Sequence, residues 1–255
     1  MKLKLVTLLM MMVPALALAS GGVHLDKVDI DLDNKESLQH GAKLFTNYCL
    51  SCHSAGYMRY NRMAEDLGLT NAQVVNNMMF IADFSKLDDG EPGKVGGLMK
   101  VALRTADAKK MFGTKVPDLT VIARSRGADW LYTYLRTFHM DESRPFGVNN
   151  ATFKDVGMPH VLWELEGLKK AVTETTTDHD GNEVTKITGY DIVVPGKMSV
   201  TEYDDAMRDM VNFMVYMGEP ALLSRKKWGV MVLIFLLILF IPAYALKKEY
   251  WKDVH

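Results

Sequence analysis

Cys49-Leu50-Ser51-Cys52-His53 is the stretch that decides how the rest of this sequence is interpreted. A Cys-x-x-Cys-His run is typical of covalent c-type haem attachment, in which both thiols bond to the porphyrin and the histidine ligates the iron. The chain has only 2 cysteines, so neither has another partner in the sequence. A surface disulfide, a redox dithiol and a zinc site are the alternatives, but finger-type zinc sites have a second Cys/His pair. The motif therefore predicts one covalently bound haem c.

The second axial ligand decides between electron transfer and ligand-binding chemistry. An open position would favour gas binding or a peroxidase-type enzyme, whereas a filled position favours electron transfer. Among 18 methionines we favour Met158, because it lies in a Gly-Met-Pro turn far from His53 and not on an apolar helix face. His160 and His139 are its rivals.

The two ends of the chain are its most apolar parts. Residues 1–19 combine Lys2 and Lys4 with an apolar run and an Ala-Leu-Ala exit, which predicts a cleaved secretory signal; a retained anchor is the alternative. Residues 228–246 hold no charge and are long enough to cross the hydrocarbon core. With their basic flanks they form an anchor segment at 225–248.

The signal also predicts the orientation of the chain. If it exports the N-terminus, residues 20–224 form a periplasmic haem domain and residues 249–255 a cytoplasmic tail. The protein is then a single-pass protein of the cell inner membrane. The formal net charge of −1 gives no basic excess, so nucleic-acid binding has no support.

The haem motif is predicted to end a helix at residues 37–48. Gly41, Phe45 and Cys49 are four apart and share one face of this helix, where the glycine allows another helix to approach closely. We expect the partner to be a helix at residues 200–217. Such a crossing of the first and last helices resembles class I cytochromes c.

The remaining segments are read from periodicity and turn residues. We predict helices at 71–80, 105–112, 121–126 and 128–137, a loop at 86–97, an irregular stretch at 139–157 and a strand-turn-strand hairpin at 171–190. Aromatic residues of the run 57–63 can wall the cofactor. The predicted fold is mainly α: a class I cytochrome c-like haem domain with loop and hairpin insertions, plus one C-terminal transmembrane helix.

Several motifs in this order resemble the cytochrome c1 family, of the bacterial type. They are CLSCHSAGYMRYNRM around the haem motif, VPDLTVIARSRG, GMPHVLWELEG, the pre-membrane helix and the C-terminal anchor. The resemblance implies that Cys49 and Cys52 bind the haem and that His53 and Met158 are the axial ligands. It also implies that Arg126 pairs with a haem propionate and that Pro117 lies beside the haem histidine.

The resemblance further implies a function within a quinol–cytochrome c reductase complex, the cytochrome bc1 complex. The chain would be a redox subunit and not an enzyme on its own, taking electrons from the Rieske iron–sulfur protein and passing them to a cytochrome c-type acceptor. Its partners would be cytochrome b, the Rieske protein and the lipid bilayer, in a complex that is dimeric.

Three alternatives follow from the residues alone. A membrane-anchored monohaem cytochrome c could serve an oxidase or another respiratory chain outside the bc1 complex. A haem enzyme or gas sensor would need an open sixth position, and a thiol oxidoreductase would need no haem.

A cluster of acidic residues has two interpretations: an acidic docking rim for the acceptor, or only a solvated loop. The residues are Asp83, Asp88, Asp89 and Glu91.

Overall fold

The structure is a computed structural model that describes residues 24–80, 96–101, 103–177 and 181–253. The helices, in chain order, are α1 (Lys35–Leu44), α2 (Tyr60–Leu67), α3 (Asn71–Met78), α4 (Thr105–Phe112), α5 (Ile122–Arg126), α6 (Ala128–Leu135), α7 (Trp163–Glu166), α8 (Val200–Gly218) and α9 (Leu222–Tyr250). The strands are β1 (Ala55–Arg59), β2 (Leu98–Met99), β3 (Phe138–Met140), β4 (Val148–Asn150), β5 (Gly167–Thr177) and β6 (Glu183–Pro195). The predicted signal at 1–19 and the acidic residues at 83–91 lie outside the described residues.

The fold is organised by the predicted crossing of the first helix of the haem domain, α1, with its last, α8, and the structure confirms it. Both of these helices begin with a side-chain cap. At the start of α1 Asn34 accepts from the Ser37 N–H, and at the start of α8 Ser199 forms a capping box with Glu202. Gly41 lies directly against the α8 backbone at Asp209. The crossing therefore brings the α1 face that leads to the haem motif against α8.

A buried polar network fixes this crossing in register. The Asp209 carboxylate accepts hydrogen bonds from Ser37 Oγ at 2.7 Å and from His40 Nδ1 at 2.8 Å. Asn212 Nδ2 donates to Ser37 Oγ at 3.0 Å and to the Asp31 carbonyl at 2.7 Å. Sliding one helix along the other would break several of these hydrogen bonds at once. Because a buried polar group without a partner is costly, the network holds the two helices in one register.

The strands form three antiparallel pairs in the described parts of the chain. The predicted hairpin at 171–190 is confirmed as the pair β5–β6, which is longer than predicted and starts at Gly167. The stretch 139–157, predicted to be irregular, contains the short pair β3–β4. Its strands have three residues each and β4 ends in two asparagines, so neither alternation nor strand propensity marks it.

The last helix carries the predicted membrane span. Ser224–Tyr250 is long and apolar enough to cross a membrane, with a hydropathy of 2.7 in its most apolar window and 0% of that window buried. An apolar helix without protein cover is what a lipid-facing span requires. Pro242 lies inside it and leaves it unbroken.

Gly41→Ala should destabilise the purified protein. An added Cβ would lie 2.7 Å from the Asp209 carbonyl carbon and 2.8 Å from Phe213 Cβ, with the Asp209 carbonyl oxygen closer still. Overpacking of this kind costs about 1–3 kcal/mol, or more where backbone must move. Chemical denaturation measures the free energy of unfolding. Gly189→Ala is the matched control, because nothing lies within 4 Å of its added Cβ; equal unfolding free energies for the two variants would contradict the prediction.

Candidate functional site

A single cavity of about 330 Å³ collects all the site residues predicted from the sequence. Its walls come from the end of the first helical segment, the haem motif, the 112–119 segment, α6, the loop after β4 and the side of α8 that carries Met210 and Met214. The predicted residues that line it are Cys49, Cys52, His53, Pro117, Arg126 and Met158.

The haem motif begins where α1 changes into a wider helical turn. Phe45–Cys49 is π-helical, closed by the Leu50 N–H donating to the Phe45 carbonyl at 3.0 Å. The Cys49 carbonyl then accepts from the N–H groups of Cys52 and His53, at 3.1 and 2.9 Å. This compact turn places both thiols and the imidazole on the wall of one cavity.

The thiols are unlike those of a redox dithiol. Both are free, and burial raises the pKa of Cys49 to about 12, with a smaller contribution from nearby Cys52. A reactive dithiol needs a thiolate with a lowered pKa in an electropositive setting. Within the described residues, moreover, no group of three or more His, Cys, Asp or Glu side chains could hold a metal ion. A buried Cys49 and a half-buried Cys52 that line an apolar cavity instead fit covalent attachment to a large apolar group.

The orientation of His53 is set by one hydrogen bond. Its Nδ1 lies 2.8 Å from the Pro117 carbonyl oxygen. Because a carbonyl can only accept, Nδ1 must carry the proton and Nε2 is left with a free lone pair. Burial lowers the pKa of His53, a shift opposed by this bond and by Asp118, so the ring is neutral at neutral pH. The second nitrogen is therefore prepared to bind iron.

Asp118 holds the Pro117 carbonyl in place. One carboxylate oxygen accepts from the Gly56 N–H at 2.7 Å, and the other from the Thr120 N–H and Oγ1 at 2.8 and 2.5 Å. The Leu119 N–H adds a bond to the Ser54 carbonyl at 2.8 Å. The segment that orients His53 is thus fastened to the residues that directly follow the motif.

Met158 lies on a loop that two buried asparagines shape. Asn150 accepts from the N–H groups of Thr152 and Phe153, and its amide donates to the Tyr134 carbonyl at 2.8 Å. Asn149 accepts from the Asp155 N–H at 2.8 Å. A small apolar cluster of Phe138, Val148 and Val156, with Tyr134 and Met158 packed on it, completes the support. The loop therefore reaches the cavity as a rigid wall.

The two rival histidines do not line the cavity. His160 is buried, stacks on the Phe138 ring at 4.9 Å and places Nε2 2.9 Å from a Glu166 carboxylate oxygen. His139 is in β3, where its Nδ1 contacts the Thr137 carbonyl at 3.2 Å. Of the three candidates, Met158 is the one whose side chain faces the cavity.

Arg126 is a cation without an anionic partner. Within the described residues it makes no ion pair; its guanidinium lies 4.8 Å from the Trp130 ring centre and 5.7 Å from that of Phe153. Two aromatic faces can orient a guanidinium but do not neutralise it. An exposed arginine held in this way beside an apolar cavity is free to pair with a carboxylate of the bound group.

The aromatic wall was not predicted. Residues 57–63 do not line the cavity, and Tyr57 is 80% exposed. The wall is formed instead by Trp130 and Tyr134 of α6, with Phe112 and Phe153. The four-residue spacing of Trp130 and Tyr134 was the available signal, since it places both rings on one face of α6.

The sequence profile of the cytochrome c1 family matches residues 29–188 and 197–254. The chain belongs to the cytochrome c1 family. It is 48% identical to cytochrome c1 of Allochromatium vinosum, over 100% of this chain and 99% of that one. It is 45% identical to a Nitrosomonas europaea protein named ammonia monooxygenase gamma subunit, over 99% of each. A Bradyrhizobium diazoefficiens protein named cytochrome b/c1 is 27% identical, over 87% of this chain and 34% of that one.

Membership of this family settles the cofactor and the broad role. The protein carries one covalently bound haem c and is an electron-transfer subunit of the cytochrome bc1 complex, anchored in a membrane. The cavity fits the group: two free cysteines, a histidine with an available nitrogen, a thioether and an unpaired arginine meet among apolar walls. Membership of a haem c family therefore argues against the two haem-free alternatives, a thiol oxidoreductase and a zinc-binding protein.

Asp118→Ala should destabilise the haem-loaded protein. The Gly56 and Thr120 donors would lose their acceptor, which costs about 1–3 kcal/mol. Asp107→Ala is the control, because Asp107 pairs with Arg104 at 2.7 Å on an exposed helix and such pairs contribute about 1 kcal/mol or less. Denaturant titration of both variants measures the difference. If Asp118→Ala is no more destabilising than the control, Asp118 does not fasten the segment.

Proposed function

We propose that Cys49 and Cys52 hold the haem through two thioether bonds and that His53 and Met158 are its axial ligands. The proposal is supported by one observation above all: Met158, far from the haem motif in the chain, lines the same cavity as Cys49, Cys52 and His53. When bound, the haem supplies a one-electron ferric–ferrous couple, whose potential a thioether ligand raises relative to a second histidine. A filled sixth position favours electron transfer over gas binding.

The neighbouring residues orient these ligands. The Pro117 carbonyl fixes the tautomer and the ring plane of His53, in the way that outer hydrogen-bond partners usually orient metal-bound histidines. Arg126 binds a propionate, which supplies the anionic partner that Arg126 lacks among the described residues. The apolar walls exclude water and so limit the solvent rearrangement that accompanies a change of charge at the iron.

The chain takes electrons one at a time from the Rieske iron–sulfur protein and passes them to a cytochrome c-type acceptor. Cytochrome b is its neighbour in the membrane; in support, the Bradyrhizobium relative has a name that joins b and c1 in one protein. The whole complex is a dimer that oxidises quinol, and this subunit acts on no organic substrate itself.

The haem domain lies in the periplasm and the C-terminus in the cytoplasm. This orientation rests on the sequence of residues 1–19 as an exported and cleaved signal, followed by the one candidate span that the described residues contain, within α9. Periplasmic residues 20–224, an anchor at 225–248 and a tail at 249–255 follow from it.

A second candidate comes from the Nitrosomonas relative, whose name assigns it to an ammonia monooxygenase. In that case this chain would deliver or remove electrons for a monooxygenase. The family profile favours the bc1 complex. The proteins that co-purify with this chain distinguish the bc1 complex from a monooxygenase.

Purification through a tag on this chain, in mild detergent, should yield b-type haem and an iron–sulfur centre together with c-type haem. A reduced-minus-oxidised spectrum and electron paramagnetic resonance measure all three. A chain that ends at residue 224 is the control and should retain c-type haem but lose both partners. If the full chain brings down c-type haem alone, a free-standing carrier is the better account; if it brings down the subunits of a monooxygenase, the second candidate is.

Met158→Ala should lower the reduction potential of the haem. Loss of the thioether removes the ligand that favours ferrous iron, and a shift of about 59 mV or more is expected, a tenfold change in the one-electron equilibrium. Redox titration measures it. Met111→Ala is the control, because Met111 is 61% exposed and does not line the cavity. An unchanged potential and ferric spectrum in Met158→Ala would remove Met158 as the ligand.

A further inference from the structure

The loop that carries Met158 is anchored at a point two residues beyond the methionine. His160 follows Met158 and Pro159, and its ring is buried and stacked on Phe138, with ring centres 4.9 Å apart and planes 7° apart. Its carbonyl accepts from the Trp163 N–H at 3.3 Å. Two residues span about 7 Å at most, and the proline between them has a fixed φ. Met158 therefore cannot move far unless His160 moves as well.

A buried carboxylate faces this histidine. Nε2 of His160 lies 2.9 Å from Oε2 of Glu166, and the two side chains are 5% and 10% exposed. Neither atom has an aligned hydrogen bond within the described residues, so the close contact with the other is the polar interaction that the structure gives to both. Because a polar atom that is buried alone is costly, the contact resists any movement of the loop that would separate the two side chains.

Glu166 is itself fixed from behind. Its other oxygen, Oε1, pairs with Lys169, whose side chain is 10% exposed and also donates to the Arg136 carbonyl. Glu166 ends α7, and the next residue, Gly167, has a φ of +93° and lies directly against the β6 backbone. The carboxylate therefore stays in place if the loop moves, and the contact with His160 is lost.

We propose that His160 and Glu166 are positioning residues for the haem: their buried contact holds the loop closed over the cavity and so keeps Met158 on the iron. The inference rests on the proposed function, because it requires Met158 to be an axial ligand. It deepens that function by naming what retains the ligand. Since a thioether favours ferrous iron, the ferric state is the one in which Met158 is more easily displaced and in which the contact matters most.

Loosening the loop has two measurable consequences. An added ligand such as imidazole competes with Met158 for the sixth position of ferric haem, and its apparent affinity is reduced by the fraction of molecules in which the loop is closed. A looser loop therefore binds imidazole more tightly. Opening is available mainly to the ferric state, so a looser loop also favours ferric iron and lowers the reduction potential.

His160→Phe tests the proposal with the smallest change in packing, because an aromatic ring can stay in the stack on Phe138 while the contact with Glu166 is lost. The expected result is an apparent imidazole dissociation constant lower by about tenfold or more, the size of a polar contact with a charged group, together with a lower reduction potential. Titration of the far-red absorption of the ferric iron–thioether bond measures the first effect and redox titration the second. An unchanged dissociation constant would contradict the proposal.

Glu166→Gln removes the charge and keeps the size of the side chain. It should also tighten imidazole binding, and this variant decides the matter if His160→Phe loses haem. Its effect on the potential has no fixed sign, because the loss of a negative charge raises the potential by itself.

Glu164→Gln is the matched control on the same helix. Glu164 pairs with Lys197 at 2.5 Å, but the two side chains are 47% and 67% exposed, and such pairs contribute little. This variant should bind imidazole as the unmodified protein does. A control that shifts as much as Glu166→Gln would show that Glu166 has no special role.

The Met158→Ala background separates this proposal from the proposed function. If Met158→Ala leaves the potential and the ferric spectrum unchanged, the proposed function is wrong at this residue. If it changes them, Met158 is the ligand, and His160→Phe should then have no effect on imidazole binding in that background, because no thioether is left to displace. The same shift in both backgrounds would overturn the role of His160 and Glu166 while leaving Met158 as the ligand.

Discussion

The close approach of two helices at Gly41 is the contact on which the rest of the structure depends. With no Cβ on Gly41, the α8 backbone at Asp209 comes into direct contact with α1. Ser37 and His40 then bond the Asp209 carboxylate, and Asn212 bonds the Ser37 hydroxyl. This contact also fixes the relative positions of the segments that follow on each helix. α1 continues into the π-helical turn that ends at Cys49, while α8 presents the methionines of the cavity wall, so the crossing sets the distance between the attachment site and that wall.

The opposite side of the cavity is held by charge and amide networks instead of a helix crossing. Arg136 binds Asp204 of α8 through two nitrogens, at 2.5 and 3.0 Å, and Asp26 of the N-terminal segment at 2.7 Å. Its carbonyl accepts from Lys169, which also pairs with Glu166 beside His160. These half-buried groups tie α6, α8, the N-terminal segment and the start of the hairpin together. The Met158 loop is therefore supported from behind by groups that are costly to separate.

The sequence was informative where a short spacing carries the chemistry, and less so where distant segments meet. The four-residue spacing of Gly41, Phe45 and Cys49 predicted the helix face and its crossing, and a run of uncharged residues predicted the span. The structure also places Pro117, Arg126 and Met158 on the wall of the cavity that the haem motif lines, while their roles toward the haem stay predictions. The π-helical turn, the pair β3–β4 and the aromatic wall were missed. Each depends on contacts made after folding: Tyr134 is an ordinary amphipathic-helix residue until the asparagine-shaped loop brings Met158 to its hydroxyl.

The same helix that forms one wall of the cavity also limits its distance from the membrane. α8 ends at Gly218 and α9 begins at Leu222, so the link between them spans at most about 14 Å even when fully extended. Glu219 pairs with Arg225 at 2.9 Å across this link, and the end of α8 packs on Arg124, next to the segment that lines the cavity. A short, braced link of this kind restricts the haem domain far more than a flexible tether would. The link therefore keeps the haem domain close to the N-terminal end of α9, the helix that carries the candidate membrane span.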